Sequence, residues 1–152
     1  MKQKIIASDE HNLPDENTTR SQSPVPKLKD DENGKPICED GIEEWKKAAM
    51  RGSGVSDRDL AVKIVTDAAN TFTQVRERYT DSVNKSLALM NGINPQDELE
   101  GMLAAQMICS HNVAMDCFKR ATIAEQSAEV MDLYIKQATK LLRTYTAQLE
   151  AL

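Results

Sequence analysis

The chain has 152 residues, enough for one domain, with 19 Lys and Arg against 24 Asp and Glu and a formal net charge of −5. Aromatic residues make up only 4%, too few for an aromatic-lined ligand pocket or a base-stacking surface, and the acidic balance disfavours a general affinity for nucleic acid or anionic membrane. Six Gly and five Pro are little material for the many tight turns of an all-β fold.

From the N-terminus, the first apolar run is Ile5-Ile6-Ala7, short of the roughly 7–15 apolar residues of a signal peptide. No stretch approaches the ~20 apolar residues of a membrane span. The chain is therefore expected to be cytoplasmic and to have no membrane contact. Its three cysteines, Cys38, Cys109 and Cys117, are odd in number and lack the spacing of a disulfide framework, so reduced thiols are expected.

Residues 1–54 and 55–152 differ in kind. The first part holds Pro14, Pro24, Pro26 and Pro36 and shows no apolar periodicity from Ser8 to Pro36, which reads as a disordered polar tail. Within it, Ile42, Trp45 and Ala49 recur at helical spacing, with Glu43-Glu44 before Lys46-Lys47, an order that suits the helix dipole. A short helix over about 42–50 is predicted, bounded by Gly41 and by Gly52-Ser53-Gly54. It either packs back on the chain's own core or serves as a docking motif for a partner, with Ile42, Trp45 and Ala49 as the contact.

The second part predicts an all-α fold, a bundle of three long antiparallel helices at about 57–90, 95–119 and 123–151. Helix one follows Ser56 as N-cap, with an acid at Asp59, and its stripe runs through Leu60, Ile64/Val65, Ala68, Phe72, Val75, Tyr79, Val83, Leu87 and Met90 to Asn91-Gly92, with Gly92 as a left-handed cap. Helix two opens on Asn94-Pro95-Gln96-Asp97, with Asn94 as cap and Pro95 at the first helical position. Helix three follows a capping box at Thr122 and Glu125 and carries Met131, Tyr134, Ala138, Leu141, Tyr145, Leu149 and Leu152 at three-four spacing.

Helix two has an apolar arc of roughly 200°, about twice what a surface helix needs. The arc outruns the cover two neighbours give, so either the Trp45 helix or a second copy of the chain is expected to close it. Ile108, His111, Met115 and Phe118 on its outer part form the expected interaction surface. Gln106, in mid-stripe, is expected to be a core amide that fixes register.

Catalytic and metal chemistry is poorly served. Asp116 lies about 140° round the helix from His111 and cannot orient its ring. Cys109 and Cys117 are about 12 Å apart along the axis, too far to chelate one ion alone, though nearby methionines leave a sulfur-lined metal site as a weaker alternative. Lys136, Lys140 and Arg143 make a basic stripe with Lys119-Arg120 near its start, thin for a nucleic-acid face and flanked by acids. No phosphate loop, nucleophile elbow or zinc-type cysteine pairing occurs.

The stretch Asn94-Pro95-Gln96-Asp97-Glu98-Leu99-Glu100-Gly101-Met102-Leu103-Ala104-Ala105-Gln106-Met107, the following His111 and the ending Thr144-Tyr145-Thr146-Ala147-Gln148-Leu149-Glu150-Ala151-Leu152 resemble a family of small uncharacterised alphaproteobacterial helical proteins. The likeness covers roughly residues 90–152. It implies a bacterial source and an intracellular or mobile-element setting, and it carries no activity. Together these readings point to a non-enzymatic helical module for protein–protein association or oligomerisation, without a cofactor, acting as a homodimer or with a helical protein partner. A nucleic-acid-associated packaging or regulatory component of a mobile element is the alternative.

Overall fold

The structure, a computed structural model, describes residues 25–72 and 78–152. A short antiparallel hairpin comes first, β1 (Leu28–Asp30) and β2 (Pro36–Cys38), in the register Leu28 with Cys38, Lys29 with Ile37 and Asp30 with Pro36. Five helices follow: α1 (Ile42–Ser53), α2 (Arg58–Ala69), α3 (Tyr79–Ile93), α4 (Glu98–Ala121) and α5 (Ala128–Ala151).

Disorder was the expectation through Pro36; from Val25 on, the hairpin replaces it, while the rest of that stretch and Val75 of the helix-one stripe lie outside the described residues. The turn has a local cause. The Asp31 carboxylate Oδ1 accepts from the amides of Asn33 and Lys35, both at 2.8 Å, and Gly34 takes φ +74°, an Asx-type turn with glycine at the left-handed position. The hairpin is tied to α3 by one side chain. Asn84 Oδ1 accepts from the Leu28 amide and Asn84 Nδ2 donates to the Leu28 carbonyl, each at 2.8 Å, so an amide side chain completes the edge of a two-stranded ladder.

The expected helix over 57–90 is two helices. α2 stops because the Thr71 hydroxyl donates to the Ala68 carbonyl at 2.7 Å and the Thr71 amide reaches the same oxygen at 3.2 Å, a tightened last turn that a β-branched hydroxyl residue favours. Both halves then bury a face against each other: Ile64, Val65 and Ala68 from α2, and Val83, Leu87 and Met90 from α3. Leu60, at the start of the predicted stripe, and Tyr79, in its middle at the start of α3, are exposed.

The caps also shift. Asp57, not Ser56, caps α2 by accepting from the Leu60 amide at 2.8 Å. α3 runs through Gly92, and Asn94 takes the left-handed position at φ 57°. Asp97 caps α4 through the Glu100 amide at 2.9 Å, while Glu100 Oε2 accepts from the Gln96 amide at 2.7 Å, so both orphan donors are satisfied reciprocally. Thr122 closes α4, Glu125 is left-handed at φ 67°, and Ser127 caps α5.

No boundary falls at Gly54. Trp45, Ala48 and Ala49 of α1 sit in one core with α2, α3 and the Ala104–Ile108 side of α4. The Trp45 helix therefore packs on the chain's own core. The molecule is a small unit of hairpin and α1–α3, against which the first half of α4 docks. α5 runs back along α4 and makes almost all its contacts there. A three-helix bundle is thus replaced by a helical layer carrying a long α4/α5 hairpin. Among the described residues, no helix is long and apolar enough to cross a membrane.

Candidate functional site

Most of the exposed large apolar side chains among the described residues lie on the α4/α5 hairpin. Along α5, Tyr134, Ala138, Leu141, Tyr145 and Gln148 recur at three-four spacing and form the seam against α4. Beside this seam runs a second row, Ile135, Leu142 and Leu149, seven residues apart, so the apolar stripe from Val130 round to Ile135 spans about 140°. One neighbour cannot cover that width. Of the whole 24-residue helix only Ala138 is buried. Ile135 is 43% exposed and Leu149 54%, and Met131 and Leu133 are exposed as well. Leu99, Met102, Val113 and Met115 are the exposed large apolar residues of α4.

The residues expected to form the interaction surface are divided by the fold. Ile108 is buried in the core, because α4 lays its Gly101–Ala104–Ile108 face on the α1–α3 unit. This corrects its assignment to an open surface. His111 is exposed, its ring centroid 5.9 Å from that of Tyr145 at an interplanar angle of 51°. Met115 is exposed and Phe118 half-buried. His111 and Met115 also border a small cleft of about 190 Å³ with Thr71 and Phe72.

Gln106 is exposed rather than a core amide. Its Oε1 accepts from Gln148 Nε2 at 3.2 Å, and the Ser110 hydroxyl donates to Gln148 Oε1 at 3.3 Å. The amides therefore link α4 to α5 along the edge of their seam. The reason is that α5 docks about 80° round α4 from Gln106, opposite Met107 and Ala114, which are buried. Ile42 is exposed, whereas Trp45 and Ala49 are buried, so Trp45 and Ala49 are withdrawn from any docking role. Trp45 Nε1 is buried with no hydrogen-bond partner.

An open groove of about 550 Å³ runs on the other side of the hairpin, between α2 and α4, lined by Leu60, Ile64, Met102 and Cys109 with Gln106 and Gln148 at one end. The Cys109 thiol is pushed above its ordinary pKa, first by burial, which penalises the thiolate, and further by the Asp67 carboxylate, against an opposing hydrogen bond from Thr71. Alkylation of Cys109 by iodoacetamide is expected to rise with pH through a midpoint above the ~8.5 of a solvated thiol. Peptide-resolved rates between pH 7 and 10 check this, and a midpoint at or below 8.5 would contradict the burial argument.

The basic stripe is locally compensated in part: Lys136 pairs with Asp132 at 2.5 Å and Arg120 with Asp116 at 2.6 Å. Cys109 and Cys117 are half-buried free thiols. Among the described residues, no three His, Cys, Asp or Glu side chains gather as a metal cluster would require. Leu142 and Ile135, which stand seven and fourteen residues before Leu149 of the stripe along helix three, are absent from that stripe although their seven-residue period is visible in the sequence. No protein-family model, curated protein or solved structure matches this chain.

Proposed function

We propose that the protein is a non-enzymatic association module that joins other helices through the α4/α5 hairpin. The observation that carries this reading is a 24-residue amphipathic helix of which only Ala138 is buried, beside the exposed Ile135 and Leu149. Contiguous apolar surface beyond a few hundred Å² marks contact sites on soluble proteins, and helices with an apolar stripe wider than a two-helix seam complete it in a larger bundle. The small unit of α1–α3 serves as the base that holds α4 in place through Ala104 and Ile108.

Ile135→Glu combined with Leu149→Glu tests the reading. Both side chains are exposed, so helicity and thermal midpoint are expected to stay within a few degrees of wild type. Association, either of the purified chain by light scattering or with proteins retained from its native cell, is expected to fall at least tenfold. If wild type and variant are both monomeric at about 100 µM and retain the same proteins, the reading fails.

A further inference from the structure

Resting on that reading, we propose that the hairpin's partner is a second copy of this chain, its α5 lying antiparallel on the first so that two hairpins form a four-helix bundle. Size, row geometry and charge each favour this occupant.

A 24-residue helix is about 36 Å long, and two packed helices present a face roughly 20 Å wide. The product, about 700 Å², is close to the ~800 Å² per partner of a standard stable interface. The row is self-complementary in the antiparallel sense. With a two-fold axis between Ala138 and Thr139, Ile135 faces the partner's Leu142 and Leu142 faces the partner's Ile135. Met131 then faces the partner's Thr146. This is an isologous contact, in which one patch meets its own copy and the assembly closes.

Charge selects the direction. Asp132 and Arg143 lie on the same flank of α5, just beyond the apolar row, and both are exposed. Among the described residues Arg143 has no ion pair, while Asp132 is held by Lys136. In the antiparallel register each Asp132 comes within about 3 Å, measured along the axis, of the partner's Arg143. A parallel two-fold would carry the partner's Asp132 and Arg143 to the opposite edge of the seam, so this ion pair would not form.

The test is cysteine cross-linking in the full chain with Cys38, Cys109 and Cys117 replaced by serine. The double variant Ile135→Cys with Leu142→Cys is expected to give a covalent dimer on mild oxidation. Either single variant should not, because equivalent positions lie about 10 Å apart along the axis, beyond the 4.4–6.8 Å Cα separation of a disulfide. Cross-linking by the single variants instead would mean parallel pairing and overturn the proposal. A second arm needs no cysteine. Asp132→Arg and Arg143→Asp should each weaken self-association about tenfold by sedimentation equilibrium, and the two together should restore it. No rescue would overturn the antiparallel register. A purified chain that stays monomeric at about 100 µM overturns the second-copy proposal outright. In that case, retention of a cellular protein that is lost in Ile135→Glu with Leu149→Glu would leave the association reading standing, and no retention would remove both.

Discussion

Replacing Trp45 with alanine is expected to lower the unfolding free energy by about 4 kcal/mol. Trp45 is 3% exposed and lies in the core cluster with Ala49, Val65, Leu87 and Ile108, and truncating a buried Trp costs ~3–5 kcal/mol through lost transfer energy and the cavity left behind. The indole Nε1 is buried without a partner, so no hydrogen bond offsets or adds to that loss. Domains of this size are stable by only about 5–15 kcal/mol, so the variant is expected to sit near its folding threshold at 37 °C. Urea unfolding followed by circular dichroism measures it. A loss under 1 kcal/mol would show that α1 is an appendage and that the core closes without it. By the same physics, a chain beginning at Val55 is expected to lose cooperative unfolding, since it lacks the buried face of α1.

Gly101→Ala is the second large effect, and its sign runs against propensity. In an exposed helix interior the exchange stabilises by up to about 1 kcal/mol. Here a Cβ would land on the Ser53 carbonyl oxygen, with the carbonyl carbon at 3.3 Å and Val55 Cγ2 at 3.4 Å. Backbone atoms cannot swing aside as a flexible side chain can. The end of α1 is also pinned, because the Ser53 hydroxyl donates to the Ala49 carbonyl at 2.7 Å. Overpacking of this kind costs ~1–3 kcal/mol, so a net destabilisation of about 2 kcal/mol is expected, with α4 shifted outward. Gly92→Ala is the control, since nothing lies within 4 Å of its Cβ position, and it should be neutral or stabilising. Equal behaviour of the two variants would contradict the close approach of α4 to α1.

Several elements were legible because their cause is local. The spans of α4 and α5 follow from three-four periodicity between polar breaks, and the expected limits near 95–119 and 123–151 lie within a few residues of Glu98–Ala121 and Ala128–Ala151. The short Trp45 helix was legible for the same reason. The hairpin was not read, although Asn33-Gly34 between Leu28 and Ile37 is a recognised turn signal. Strands of three residues have too few alternations to register as a period. The caps moved by one to five residues because Ser56, Asn94 and Thr122 are each followed by a second capping residue, at Asp57, Asp97 and Ser127, and only the chain path selects between them.

Chain-local chemistry, namely periodicity, capping side chains and the scarcity of Gly and aromatics, settled on its own that this protein is mostly helical and where its two longest helices lie. Tertiary structure alone decided what each apolar face meets. The split of residues 57–90 into α2 and α3 depends on the two halves burying Val65 and Leu87 against one another. Ile108 belongs to the core and Gln106 to the surface because α1–α3 and α5 dock on two particular sides of α4. A helical wheel ranks faces by polarity but has no information on which neighbour arrives at which angle. For that reason α4, the more apolar-looking helix, is held on two sides, whereas α5, with one neighbour, buries only Ala138 and carries the open row.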